Sequence, residues 1–262
     1  MTEFGPLTFW ELLALIVAGA AILGSVGVLF VHRWLEGRVR EGHNDVVIPI
    51  YATAGVIYAV LLAFIVIAVW EQFSSAKENV STEASALTTL YRETAGIPPP
   101  LQGRLRTLLR DYTESVATTE WKVQAHGGTS PAARKDLIEV YSALGKLGPG
   151  QSTPVEQGFV ADFSIMAAAR TKRTLASQDR LPWLLWVGLI AGALVVLVMT
   201  WFLYMESMWL HAGLSGAVAV LIGLLLFTTL VMDRPFSGKL GIKPEAFDHA
   251  LRVFDSVDQT SG

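Results

Sequence analysis

The sequence predicts an all-α protein: four transmembrane helices, with a helical soluble domain inserted between the second and third. Three observations carry that prediction. Charged residues make up only 16% of the 262, against 52% hydrophobic, whereas soluble domains carry about 25% charged residues. Four long runs contain no Asp, Glu, Lys or Arg: Leu12 to Val31, Val46 to Trp70, Leu181 to Met205 and Ala212 to Met232. Each is long enough for a hydrocarbon core of about 30 Å, which needs roughly 20 such residues. Finally, Trp10, Trp34, Trp70, Trp183, Trp186, Trp201 and Trp209 lie at or near the ends of these runs, as indole rings do at the headgroup level.

The first run has no Lys or Arg ahead of it and no small-residue cleavage site directly after it, so no signal peptide is expected. The second run does not stop at the membrane surface. After Trp70 the chain turns polar but keeps an apolar stripe at Phe73, Ala76, Val80, Ala84, Leu87 and Tyr91, the 3.6-residue period of a helix. No Gly or Pro lies between Gly55 and Gly96, so one rod of about 60 Å is predicted from those 40 residues.

The remainder of the polar segment, 71–180, breaks at 96–100, 127–131 and 148–154, where Gly and Pro cluster. Between the breaks run three stripes: Leu101, Leu105, Leu108, Tyr112 and Val116; then Leu137, Tyr141, Leu144 and Leu147; then Val155, Phe159, Phe163 and Met166. With the extension of the second span these make a four-helix soluble domain. Its 13 basic and 12 acidic residues read as a solvated exterior. The predicted parts are 1–70 (spans one and two), 71–180 (soluble domain), 181–233 (spans three and four) and 234–262 (C-terminal tail).

Four spans place the termini and the soluble domain on one side. Near the membrane that side carries Lys77, Arg170, Lys172, Arg173, Arg180, Arg234, Lys239, Lys243 and Arg252, against Arg33, Arg38 and Arg40 opposite. The positive-inside rule therefore predicts a multi-pass protein of the cell membrane with a cytoplasmic soluble domain and cytoplasmic termini.

Composition also excludes. Without cysteine there are no disulfides, thiolate nucleophiles or iron–sulfur ligands. A net charge of -3 gives no footprint for nucleic acid. The five histidines show no metal-ligand spacing, and no phosphate loop or nucleophile elbow is present. Neither enzyme chemistry nor a cofactor or metal is expected; the partners predicted are the lipid bilayer, further copies of the chain and inorganic ions.

The span interiors are free of charge, and the acids Glu11, Glu71, Glu206 and Asp233 collect at their margins. Interfacial placement explains most of them; Glu71 would instead stand at the mouth of a pore lined by the second span, favouring cations. Ahead of that span, Asn44 or Asp45 reads as an N-cap, with Pro49 in the first turn. The sharper reading makes His43, Asn44 and Asp45 a polar outer mouth, with His43 a proton-sensitive gate or a weak cation ligand. Small residues recur at Ala20, Gly24 and Gly27, at Gly55, Ala59 and Ala63, and at Gly216, Ala219 and Gly223, which lets membrane helices approach closely.

Three stretches carry a resemblance. They are His43-Asn44-Asp45 leading into GVIYAVLLAFIVIAVWEQF, then EASALTTLYRETAGIPPPLQGRLRTLLRDYTESV, and DRPFSGKLGIKPEAFDHAL after the fourth span. In order and spacing they resemble a bacterial membrane family described as bestrophin-like. Bestrophins are pentameric anion channels whose second helix lines the pore, so the resemblance implies a homo-oligomeric ion channel gated at a hydrophobic constriction. Of the bestrophin neck positions, Val60, Phe64 and Ala68, only Phe64 is bulky; Tyr58, Leu62, Ile65 and Val69 offer an alternative constriction. The acidic calcium clasp has no counterpart, since Asp233 is followed by Arg234, Pro235 and Phe236. The other class of reading is a non-conducting membrane scaffold or sensor whose soluble domain binds a partner.

Overall fold

The computed structural model describes residues 9–34, 41–145 and 153–261; Leu147, Arg38 and Arg40 lie outside them. Among the described residues the regular structure is helical: α1 Phe9–Trp34, α2 Asn44–Glu93, α3 Leu101–Ser115, α4 Trp121–Gln124, α5 Pro131–Leu144, α6 Pro154–Ala176, α7 Trp183–Trp201, α8 Met208–Met232 and α9 Glu245–Ser261. Four of them, α1, α2, α7 and α8, are long and apolar enough to cross a membrane. The segment between α2 and α7 is the helical insert.

The unbroken pattern after Val46 becomes one helix of 50 residues, about 75 Å at ~1.5 Å per residue. It ends where the Gly-Ile-Pro sequence begins, in a 3-10 turn over Thr94–Gly96. At the start of α6, Thr153 accepts from the Glu156 amide and the Glu156 carboxylate accepts from the Thr153 amide. These reciprocal bonds satisfy helix-terminal donors that have no partner inside the helix.

The chain divides into two compact units, Met1–Glu71 with Arg180–Asp233, and Gln72–Asp179 with Arg234–Gly262. In the first, α1 packs chiefly along α8. The small residues predicted to permit close approach do so: a Cβ on Gly24 would lie 2.7 Å from the Ser215 carbonyl and 2.9 Å from the Ala219 Cβ. One on Gly27 would fall inside the Trp201 ring. Lipid is as apolar as leucine, so such contacts supply dispersion and shape fit more than hydrophobic drive. Polar pairs add to them: Ser25 donates to the Ala212 carbonyl at 3.1 Å, and the Thr200 and Ser215 hydroxyls meet at 2.7 Å. Buried His211 donates from Nε2 to the Thr200 carbonyl at 2.8 Å. Asp233, read as an interfacial acid, is buried and accepts from the Leu181 amide at 2.7 Å.

In the second unit α3, α5, α6 and the extension of α2 enclose a core containing Leu87, Tyr91, Leu105, Leu109, Tyr112, Phe159, Phe163 and Met166. The stretch 234–262, expected as a tail, completes it. Phe236 packs edge-on against Trp121, and α9 buries Phe247, Ala250 and Phe254. The Phe254 ring stacks on Tyr91 at 4.0 Å. Around that stack Tyr91 donates to Asp258 (2.7 Å), and Arg106 and Arg110 pair with Asp258 and Asp255.

Candidate functional site

The most concentrated chemistry lies inside the second unit. Arg173 is fully buried between two fully buried acids, with Nε donating to Glu83 at 2.6 Å and Nη2 to Glu120 at 2.8 Å. Its Nη1 donates to the Gln124 side chain. Tyr112 donates to Glu83 at 2.5 Å, and Arg170 joins Glu120 (2.8 Å) to the Ala133 carbonyl (2.9 Å). Burial works against the Arg173 charge, but the attraction of Glu83 first, and of Glu120, holds the guanidinium above its ordinary range. Burial, then the Glu83 charge, pushes the Tyr112 hydroxyl well up. A five-residue π-helical turn, Val116–Glu120, carries Glu120 into the network; such turns are rare and are found often at functional sites.

This corrects two readings. Arg170 and Arg173 are not free cations at a membrane surface, so they leave the positive-inside tally. The soluble domain's charges are not all on its exterior, because four of them sit in its core. Sequence reasoning missed the network because its members lie up to 90 positions apart and no local pattern joins them.

Along α2 the structure sorts the predicted pore residues. Tyr58, Leu62, Ile65 and Val69 are buried, packed with Leu181, Leu189, Ala193 and Val196. The Tyr58 ring lies over Gly192, where a Cβ would come within 2.6 Å of it, and its hydroxyl is buried with no hydrogen-bond partner among the described residues. Phe64, by contrast, is 68% exposed, as are Ile57 (67%) and Val60 (50%); Ala68 and Glu71 are exposed too. At ~100° per residue Ile57, Val60, Phe64, Ala68 and Glu71 share an arc of about 80°, and the buried stripe is centred about 130° around the helix from Phe64.

At the start of α2, Asn44 does not spend its side chain capping the helix. Its Nδ2 donates to the Tyr204 carbonyl and its Oδ1 accepts from the Tyr204 amide, both at 2.9 Å. This ties α2 to the α7–α8 connection. Asp45, in the first turn, is exposed and favourably placed for the helix dipole. His43 is exposed in the preceding 3-10 turn. Among the described residues no group of three or more His, Asp or Glu side chains is placed to hold a metal ion.

Four apolar spanning helices and a helical insert define a class, the four-span all-helical membrane protein. Within it the family is shown: the chain belongs to the bestrophin-like family, whose "Bestrophin-like domain" model matches residues 18–247. No curated protein matches the sequence. Among solved structures the chain is similar to a bacterial bestrophin homolog from Klebsiella pneumoniae (TM-score 0.74, 12% identity, covering 93% of this chain and 98% of that one). A single-residue variant of that homolog gives TM-score 0.75 at 13% identity, covering 92% and 98%. A variant described as a membrane protein gives 0.74 at 13%, covering 93% and 99%. At such identities the likeness establishes the fold.

Proposed function

We propose that the protein is a homo-oligomeric ion channel of the cell membrane, with one α2 per subunit lining the axis and a hydrophobic constriction as its gate. The observation that carries this reading is the exposed face of α2. It presents Ile57, Val60 and Phe64 in line, with Glu71 at its end and no basic residue among them. Of the residues expected at a constriction, Phe64 belongs to this face. Tyr58, Leu62, Ile65 and Val69 instead act from behind it, fixing the rotation of α2 against α7. A ring of Phe64 side chains would gate by dewetting, and a ring of Glu71 carboxylates at the mouth would enrich cations over anions. His43 and Asp45, exposed at the other end of the span, would form its outer polar rim, with Asn44 holding that end in place. The soluble unit and termini are assigned to the cytoplasm.

Purified protein in planar bilayers tests this. The expected result is current above the empty-vesicle control, raised by Phe64→Ser. No current under varied pH, calcium and voltage, for either protein, would refute it.

One observation favours a second reading, a non-conducting scaffold or sensor: the spans carry no ring of charge in their interiors. A monomer by native mass spectrometry would support that reading, since a single four-span protomer encloses no pathway.

A further inference from the structure

The turn that follows the fourth span is built more firmly than a simple link. Gly238 has a positive φ of 74°, a conformation that favours glycine, and a Cβ on Gly241 would lie 2.5 Å from the Ser237 carbonyl. The Ile242 amide closes the loop on the Pro235 carbonyl at 2.7 Å. Two more bonds fasten it to α4: Ser237 donates to the Ala125 carbonyl at 2.6 Å, and the Trp121 indole donates to the Ile242 carbonyl at 3.3 Å. Phe236 is buried at its base. The turn thereby holds its tip, Lys239 and Leu240, in the open, with Leu240 58% exposed.

One exposed leucine is ordinary on a protein surface; its neighbours and its place in the chain are what set this one apart. Residues 234–243 hold Arg234, Lys239 and Lys243 and no acid, and α4 adds Lys122. Lys243 folds back to the turn, its ammonium donating to the Gly238 carbonyl at 3.1 Å. Among the described residues Lys122, Lys239 and Lys243 pair with no carboxylate. Of the acids nearest in the chain, Glu120 is buried against Arg170 and Arg173, and Asp233 is buried on the Leu181 amide. Glu245 stands in the first turn of α9, and Asp179 is exposed before α7.

Chain length fixes where this surface lies. Ser237 is four residues beyond Asp233, which ends α8, so the chain between them spans at most about 14 Å. A second tether reaches α4 through Gly127, where a Cβ would lie 3.6 Å from the Ser177 carbonyl. Ser177 is six residues ahead of Trp183, the start of α7, at most about 21 Å of chain. Two tethers this short keep α4 and the turn beside the headgroup layer.

We propose that this turn, with Lys122, is a docking site for the headgroups of anionic phospholipid, Leu240 entering the interface and the lysines meeting lipid phosphates. Lysine suits that layer, because its stem lies along apolar surface while its ammonium stays wet. Each lysine beside an anionic leaflet strengthens binding about fivefold. The site needs only the four spans, so it serves a channel and a scaffold alike.

Without native cysteine, Leu240→Cys accepts a single nitroxide label. In the full-length chain in nanodiscs, electron paramagnetic resonance reads collisions of the label with oxygen, which concentrates in lipid, and with a water-soluble nickel chelate. In phosphatidylglycerol discs the label should gain oxygen collisions and lose nickel collisions relative to phosphatidylcholine discs. Adding Lys122→Gln and Lys239→Gln, both at exposed positions, should remove that difference. By native mass spectrometry the double variant should bind phosphatidylglycerol about twenty-fivefold more weakly, fivefold for each lysine, and phosphatidylcholine as before. A label equally open to nickel in both lipids would overturn the proposal, as would a difference that survives loss of the lysines. So would loss of the difference in inorganic phosphate but not in chloride of equal ionic strength, which marks a site for free phosphate. None of these measurements uses current: failure here leaves the channel reading standing, and a silent bilayer leaves this site standing.

Discussion

Arg173→Met isolates the buried ion network. The substitution removes every hydrogen bond the guanidinium makes and leaves a side chain of similar length. Glu120 keeps a cation, because Arg170 still bonds it at 2.8 Å. Glu83 does not: its remaining partner is the Tyr112 hydroxyl at 2.5 Å, so one carboxylate stays fully buried without a countercharge. Breaking a buried pair from one side costs about 3–5 kcal/mol, a large share of the ~5–15 kcal/mol that holds a typical domain. Adding Glu83→Gln should recover most of that loss, since exchanging the whole pair for uncharged groups is close to neutral. Arg173→Lys should fall between, keeping the charge but not the fork that reaches Glu83, Glu120 and Gln124 together. Hydrogen–deuterium exchange read by mass spectrometry on peptides from α3 and α6 measures the second unit separately from the spans. If Arg173→Met protected those peptides to within about 1 kcal/mol of the parent protein, or if Glu83→Gln added to the damage, the electrostatic account would be wrong.

Four further outcomes are expected. Phe64→Ser, on an exposed face, should raise leak in planar bilayers with little change in thermal stability. Leu62→Ser, 4% exposed against α7, should instead lose on the order of 2 kcal/mol of packing in a detergent unfolding assay, near the low end for buried large-to-small changes because lipid is itself apolar. Asn44→Ala, deleting both bonds to Tyr204, should cost about 1–3 kcal/mol by the same assay, as each backbone group loses a bond worth roughly 0.5–1.5 kcal/mol. Glu93 sets a pH dependence: its folded pKa is raised, by burial first and by the Asp162 charge second, so the folded state holds the proton more tightly than the unfolded one. Its contribution is fully present below the ordinary carboxylate pKa and is lost as pH rises through the raised value. Exchange protection of the end of α2 should thus increase on acidification across that window, and Glu93→Gln should flatten the slope.

What could be read from the sequence divides along physical lines. Spans, rod and soluble stripes were legible because each depends on residues within a few turns of one another, and hydrophobic period reports on those directly. The meeting of Gly24 with Ser215 and Ala219 was half legible: small-residue spacing announces a close approach without naming the partner helix. Asn44 was misassigned because its type fits an N-cap as well as the backbone clamp it makes 160 positions away. The sorting of α2 into a buried Tyr58–Val69 stripe and an exposed Phe64 face was not legible either. All these residues are apolar, and in a span polarity no longer distinguishes inside from outside.

The two units achieve a fixed packing by different means, and α2 shows why both are needed. In the first unit, burial in lipid gives little net drive, so the rotation of α2 depends on shape: Tyr58 fits against Gly192, and Leu62, Ile65 and Val69 fit against α7. A slip of one residue would turn the helix by about 100° and cost only dispersion contacts, unless something else held its ends. Asn44 holds one end through Tyr204. Within the second unit the same helix presents Glu83 to Arg173 and Tyr112, a bond pattern that a 100° rotation would destroy at the cost of a buried charge. Hydrophobic burial of Val80, Leu87 and Tyr91 would keep α2 in its unit, but it is non-directional and tolerates small shifts. The ion network is directional, which makes its effect one of register: polar bonds decide the facing of a helix whose apolar surface alone leaves that facing loosely set.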